Sequence, residues 1–402
     1  MKILMLKMDP PFPLESGTDW VSYHLLRALA SEHQITYVTL TRSDDEEVAI
    51  RELEKHCTRV ISVRQPNLRS PAHRVFYKAL YLVLSLLTGT PTVVWYNTPR
   101  NLRRKVCRLL REESFDIVHV EYWYSAPYAR YARTGTRVLL KHDVAYVADR
   151  RLLPYLRSGP SRWWWRWRTR WLKRAELGHC RLFDRILTLT EADQVLLEEA
   201  LRGHPPVRAL PTLFLPFPEG MSRSEQGLRL VFLGHLGRPM VVDAVTYFCD
   251  EVLPRIQREI PETVFEIIGG GEHRVRHLAS RPGVELAGFV RDVAGRIEHA
   301  AVMVVPLRAG SGIKVKIIEA LAAGLPIVTT SVGAEGIGLR HEDQVMIADS
   351  PEAFARCTVA LLRDPGERRR MAERGRQFVR ERYGSDRARR MVAEFYADEL
   401  VA

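Results

Sequence analysis

The stretch "VVPLRAGSGIKVKIIEALAAGLPIVTTSVGAEGIG", residues 304 to 338, decides how this chain is read. A β-rich apolar run ends at Leu307, and a loop carrying Gly310, Ser311 and Gly312 follows. The spacing predicts a helix from about Ile313 to Ala323, stopped by Gly324 just before Pro326. Glycines at a helix N-terminus leave backbone N–H groups uncovered and let a ligand come close, and the helix dipole adds positive potential. Lys314 and Lys316 reinforce it. The physics is that of a phosphate site, although many strand–glycine–helix junctions bind nothing.

The same alternation extends in both directions. Upstream, short β-rich runs are "KILMLKM" (2–8), "QITYVTL" (34–40), "RVISV" (59–63), "DIVHV" (116–120), "RVLLKHD" (137–143) and "RILTLT" (185–190). Around the opening stretch lie "LRLVFLG" (228–234), "VFEIIGGG" (264–271), "GVELAGF" (283–289) and "QVMIAD" (344–349). Amphipathic helical segments separate them, so each half implies parallel βαβ units and an open doubly wound sheet. Residues 204 to 228 carry five prolines and little periodicity, which marks a linker. Two successive Rossmann-like α/β domains are expected, 1–208 and 209–384. A terminal helix, 385–402, carries Ala388, Met391 and Phe395 on one face and is expected to pack back on the first domain.

Composition sets outer bounds. The chain has 402 residues, 46% of them hydrophobic and 27% charged, a globular balance, with a formal net charge of +12. Its five cysteines are scattered without a C-x-x-C pair, which argues against a disulfide framework or zinc site and fits a reducing, cytoplasmic setting. The N-terminal apolar run is too short for a signal peptide. "ALYLVLSLL" (79–87) is too short to span a membrane and reads as a buried or interfacial helix.

Taken together, these segments resemble the family 4 (group 1) retaining glycosyltransferases. The donor-site signature of that family is similar to "EALAAGLPIVTTSVGAEG". Its other βα units are similar to "FLGHLGRPMVVDAVTYFCDEVLPRI", "FEIIGGG", "GVELAGFVRDV", "DPPFPLESGTDWVSYHLLRALA", "FDIVHVEY" and "LLKHDVAY". The resemblance covers nearly the whole chain. It implies the GT-B fold: two Rossmann-like domains facing across a cleft, the first for the acceptor and the second for a nucleotide sugar. It also implies roles for single residues. Glu319 would hold the ribose hydroxyls, Gly310 and Gly312 would approach the donor, and Gly17 would face the diphosphate. His142 would lie near the transferred sugar, and Phe289 and Val290 would lie at the base.

The departures from that family are as informative. Ser311 stands where the first glutamate of the E-x7-E motif belongs, and it offers only a neutral contact to the donor sugar. The places of the Arg and Lys that meet the diphosphate hold His235 and Met240, so Arg238, Lys314 or Lys316 would substitute. No Asp-x-Asp pair sits in a plausible loop, and Asp44 and Asp45 read as a solvated acidic helix start. The resemblance implies no metal and no cofactor beyond the donor. A non-catalytic GT-B scaffold is the rival reading that these departures motivate.

One run stands apart, "SRWWWRWRTRWLKRAE" (161–176). Eleven Lys/Arg against three Asp/Glu fall between Asp149 and Arg185, so an anionic partner is expected nearby. On a helix, Trp163, Trp164, Trp167 and Trp171 share one face, and arginines lie on the adjacent arc. Docking of residues 162–174 on an anionic membrane surface, packing on the protein's own sheet, and stacking on nucleic acid are the three readings. The first is preferred, and no nucleic-acid motif accompanies the run. The expected activity is sugar transfer from a nucleotide-diphosphate donor to a lipid-linked or surface-polysaccharide precursor. The enzyme would then be cytoplasmic and peripheral on the inner face of the membrane. Transfer to a small soluble acceptor is the alternative.

Overall fold

The computed structural model describes residues 1–14, 16–42, 46–65, 71–156, 158–210, 227–290 and 293–398. Asp44, Asp45 and most of the expected linker lie outside them. The chain divides into two compact units.

The first unit comprises the described residues of Met1–Tyr146, Trp163–Phe214 and Ser385–Ala402. Its seven strands are β1 (Lys2–Leu6), β2 (Gln34–Thr41), β3 (Arg59–Arg64), β4 (Ile117–Glu121), β5 (Thr136–Lys141), β6 (Arg185–Thr188) and β7 (Val207–Ala209). They form one sheet in the order β3-β2-β1-β4-β5-β6-β7, parallel throughout. The Ile3–Leu6 run and Ile117–Glu121 are buried along their whole length, as helices on both faces of a parallel sheet require. β7 has no counterpart in the sequence reading, because a three-residue edge strand shows no periodicity.

The second unit comprises the described residues of Val147–Arg162 and Leu215–Gly384. Its strands are β8 (Arg229–Leu233), β9 (Val264–Ile268), β10 (Val284–Gly288), β11 (Val302–Val305), β12 (Ile327–Thr329) and β13 (Met346–Ile347). Their order is β10-β9-β8-β11-β12-β13, again all parallel. Phe248 anchors the core, with ring centroids 4.4 Å from Phe265 and 5.9 Å from Phe354. Residues 147–162 group with this unit rather than with the strands that flank them in sequence. Tyr155 explains part of this: the Arg308 guanidinium lies between the Tyr155 and Tyr247 rings, 4.1 and 4.2 Å from their centroids.

The Ser385–Asp398 helix packs against the Gly17–Ala30 helix of the first unit. Ala388, Val392, Phe395 and Tyr396 are its buried face, and the Tyr396 hydroxyl bonds His119 Nδ1 at 2.8 Å. The tryptophan run forms the Pro160–Cys180 helix. Thr169, Leu172, Glu176, Leu177 and Cys180 are its buried side, so the face that packs is not the aromatic one. Trp163, Trp164 and Trp167 are exposed, while Trp171 donates its Nε1–H to Gly89 O at 2.6 Å.

Glu176 secures this helix. It pairs with buried Lys141 at the end of β5 and accepts the Ala145 and Tyr146 N–H groups, each at 3.1 Å. Those are N–H groups at the start of the Ala145–Leu152 helix, which lack intrahelical partners. Replacing Glu176 by alanine leaves a buried ammonium unpaired, a change that costs about 3–5 kcal/mol. Urea unfolding of Glu176→Ala should therefore show a clearly lowered midpoint, and an unchanged midpoint would contradict this account.

Candidate active site

In an open parallel sheet, loops at the carboxyl ends diverge where the strand order reverses, and a crevice opens there. The reversal falls between β1 and β4 in the first unit and between β8 and β11 in the second.

In the first unit, β1 runs into buried Lys7, whose Nζ donates to Asp9 O at 2.8 Å and Asp19 Oδ1 at 3.0 Å. Asp19 lies in the first turn of the Gly17–Ala30 helix, which Ser16 caps and Gly17 opens. β4 ends at fully buried Glu121, and His142 follows β5. His142 Nε2 lies 2.8 Å from Glu121 Oε2, and Ser22 Oγ donates to the same oxygen. His142 Nδ1 and Glu121 Oε1 have no hydrogen-bond partner among the described residues. Burial opposes the charge on Glu121, but the bond to His142 and the nearby positive charge hold its carboxyl below the usual range. Tyr122 stacks on His142, centroids 4.4 Å apart, with its backbone at φ +65°. A non-glycine residue held at positive φ stores about 1–3 kcal/mol of strain, as is common at functional sites. His119 points elsewhere, to Tyr396, and burial lowers its pKa to about 4. It is a packed neutral core histidine.

In the second unit, β8 ends in the loop Gly234–Arg238. Gly269 (φ +147°), just after β9, packs so closely on it that a Cβ would lie 1.9 Å from Gly234 O. His235 is exposed and accepts the Gly237 N–H at 3.0 Å, and Arg238 is exposed at the start of the Pro239–Tyr247 helix. Met240 packs against the core. After β11 comes the glycine loop, with Gly310 at φ +153° and Gly312 at φ +72°. A Cβ on Gly310 would meet nothing nearer than Lys314 Cε at 4.0 Å, so that face of the loop is open.

The helix after this loop spans Val315–Ala322, starting two residues later than the periodicity suggests because Lys314 has ψ 79°. Gly324, at φ +73°, ends it as expected. Lys314 Nζ donates to Gly312 O at 2.8 Å, and Lys316 Nζ donates to Leu233 O at 2.6 Å, across the point where the strand order reverses. Lys316 also lies over the Phe232 ring. Burial, then Arg238 and Lys314, pull its pKa down to about 7, against the attraction of Glu319. No described residue hydrogen-bonds the Glu319 carboxylate, and burial pushes it up to about 7 against Lys316. Ser311 is half-buried in the loop. Phe289 is exposed after β10, beside half-buried Val290.

Sequence reasoning missed two groups of residues. One is Glu121 with Ser22. The other is a clasp in which Arg151 donates to Gly310 O at 2.8 Å and forms a two-pronged pair with Glu335 at 2.5 and 2.6 Å. Glu335 also lies 4.0 Å from Lys314. Glu335 falls within the quoted stretch, but its partner is 184 residues away.

Comparison with known proteins bears on the family and the fold. The family described as "Glycosyl transferases group 1" matches residues 227–364, and "Glycosyl transferase 4-like domain" matches residues 16–212. A Klebsiella pneumoniae protein, "Uncharacterized 44.6 kDa protein in cps region", is 20% identical and aligns over 96% of this chain and 97% of its own. Sucrose-phosphate synthase from Thermosynechococcus elongatus is similar in structure, with a TM-score of 0.70 at 16% identity, covering 100% of this chain and 99% of that one. HepE from Anabaena, in complex with UDP and glucose, gives a TM-score of 0.66 at 14% identity, over 99% of this chain and 100% of that one. The structural likenesses show a GT-B fold.

The raised pKa of Glu319 has a definite sign in stability. A carboxyl titrating higher in the folded protein contributes stability below its ordinary value, near 4.5, and loses it as pH rises to about 7. Relative to Glu319→Gln, the unliganded protein should lose stability between pH 4.5 and 7 and stay level above. Denaturant titrations across that range test it, and a flat difference would show that the carboxyl is not held in this environment.

Proposed function

We propose that this chain, which belongs to the group 1 glycosyltransferases with a GT-B fold, moves a sugar with retention from a nucleotide-diphosphate donor to an acceptor hydroxyl. The acceptor is a lipid-linked or cell-surface polysaccharide precursor, a choice supported by the cps-region relative.

The observation that carries the reading is the pairing of a Glu319 carboxyl that no described residue hydrogen-bonds with an open glycine loop and three basic side chains, Lys314, Lys316 and Arg238. Glu319 accepts the two vicinal ribose hydroxyls, one on each oxygen. Backbone N–H groups around Gly310–Gly312 and the cations take the diphosphate, with His235 beside them. An ammonium carries three N–H donors, so Lys316 keeps two beyond its bond to Leu233. Phe289 and Val290 offer apolar surface to the base, and Ser311 a neutral contact to the donor sugar. In the first unit, Gly17 opens a helix toward an anion, and His142 offers Nδ1 to a sugar hydroxyl.

As the bond from the anomeric carbon to the phosphate oxygen breaks, that oxygen takes the acceptor hydroxyl's proton, and the acceptor oxygen bonds the same face of the sugar. The rate gain then comes from positioning and from charge stabilisation of the leaving diphosphate. The chain's own cations meet that charge, so the reading needs no metal. Residues 162–174 hold the enzyme peripherally on an anionic membrane, on its cytoplasmic face.

Calorimetry with uridine and guanosine diphosphates should show binding, weakened at least tenfold by Glu319→Ala, about the 1.5–3 kcal/mol expected of hydrogen bonds to a charged group. Product anomers read by NMR should keep the donor's configuration, and a chelator should leave transfer unchanged. A chain that binds no nucleotide diphosphate, or on which Glu319→Ala has no effect, overturns the proposal.

A further inference from the structure

The Pro71–Thr88 helix is apolar on two opposite faces. Its inner face is Tyr77, Tyr81 and Ser85, spaced four residues apart. Tyr81 and Ser85 are buried, and Tyr81 meets the Tyr96 ring edge-on at 4.9 Å. Its outer face carries Val75, Phe76, Leu82, Val83, Leu86 and Leu87, each more than half exposed. At 100° per residue these six fill an arc of about 140° opposite Tyr81. Lys78 lies at the flank of that arc and no charge lies within it.

The Pro160–Cys180 helix adjoins this one, because Trp171 donates to Gly89 O one residue past its end. Of the thirteen large hydrophobic side chains that the described residues leave exposed, nine lie on these two helices. Scattered exposed apolar residues need no explanation, but a contiguous patch does.

We infer that the two helices form one composite surface that seats on an anionic lipid bilayer, with Leu82, Leu86 and Leu87 entering the acyl boundary. This extends the peripheral contact proposed for residues 162–174 and rests on it for the partner's chemistry. The charge pattern selects the occupant. Arg162, Arg166, Arg170 and Lys173 are exposed beside the apolar patch, as is Lys78. A second copy would bring the same positive charges face to face. A bilayer with anionic headgroups neutralises them while its interior takes the leucines and its interface the tryptophans. The helix is 18 residues long, and no described helix is long and apolar enough to cross a membrane. It therefore lies along the surface.

The test is flotation of the full-length protein with vesicles of phosphatidylcholine alone and with about 30% phosphatidylglycerol, at low and high salt. The wild type should float with the anionic vesicles and lose at least tenfold of that association on zwitterionic ones or at high salt. Leu82→Glu with Leu86→Glu should also lower it at least tenfold with an unchanged unfolding midpoint, since both side chains are exposed. Trp163→Ala with Trp167→Ala should lower it as well. If the leucine variant floats like wild type while the tryptophan variant does not, the first helix has no part and the composite surface is wrong. If neither variant matters, or nothing floats, the membrane reading fails entirely. A concentration-dependent dimer that the leucine variant dissociates would assign the face to a second copy and overturn the proposal. Flotation reads lipid binding alone, so these outcomes stand apart from whether the chain transfers sugar.

Discussion

β1 pairs in parallel with β2 on one side and β4 on the other, and β8 does the same with β9 and β11. That constraint organises the chemistry of both units. A parallel ladder forces each connection to cross over and return, so all carboxyl ends share one rim. Where consecutive crossovers leave in opposite directions, the rim splits open. Glu121 and His142 stand at that split in the first unit, and Gly234–Arg238 and Gly310–Lys316 at that split in the second. The bond from Lys316 to Leu233 O spans the split, so a helix that follows β11 is fixed to the end of β8. Every polar group assigned to the donor depends on this placement.

The part of the site legible in the sequence is the part written locally. The glycine loop, the helix stop at Gly324 and the position of Glu319 follow from a few adjacent residues, because turn chemistry and helix caps act over short spans. The strand alternation was legible for the same reason, down to edge strand β7, where three residues carry no period. What the sequence hides is long-range pairing. Ser22 meets Glu121 across 99 residues, and Arg151 meets Glu335 across 184. No spacing rule connects such residues until the topology brings them together. The helical wheel grouped the tryptophans correctly but did not say which face turns inward. Thr169, Leu172 and Glu176 decide that, and their burial depends on partners such as Lys141 on another strand.

Glu121 and Glu319, both with buried surroundings, behave differently for a physical reason. Glu121 has His142, Ser22 and the field of Lys7 to offset its desolvation, so it remains charged in the empty protein. Among the described residues, Lys316 alone offsets the burial of the Glu319 carboxyl, and Lys316 is itself discouraged from charging. The first unit holds a preorganised charge, and the second holds a carboxyl whose charge the surrounding side chains only partly support.

The Pro160–Cys180 helix changes character along its length. Its later half carries Glu176, locked to Lys141 one residue before His142, while its earlier half offers tryptophan and arginine to the surroundings. The bonds that Glu176 makes to Lys141, Ala145 and Tyr146 do not involve Trp163, Trp164 or Trp167. Single substitutions at those three tryptophans can therefore change what this end of the helix presents to its surroundings while the Lys141–Glu176 pair beside His142 stays as it is.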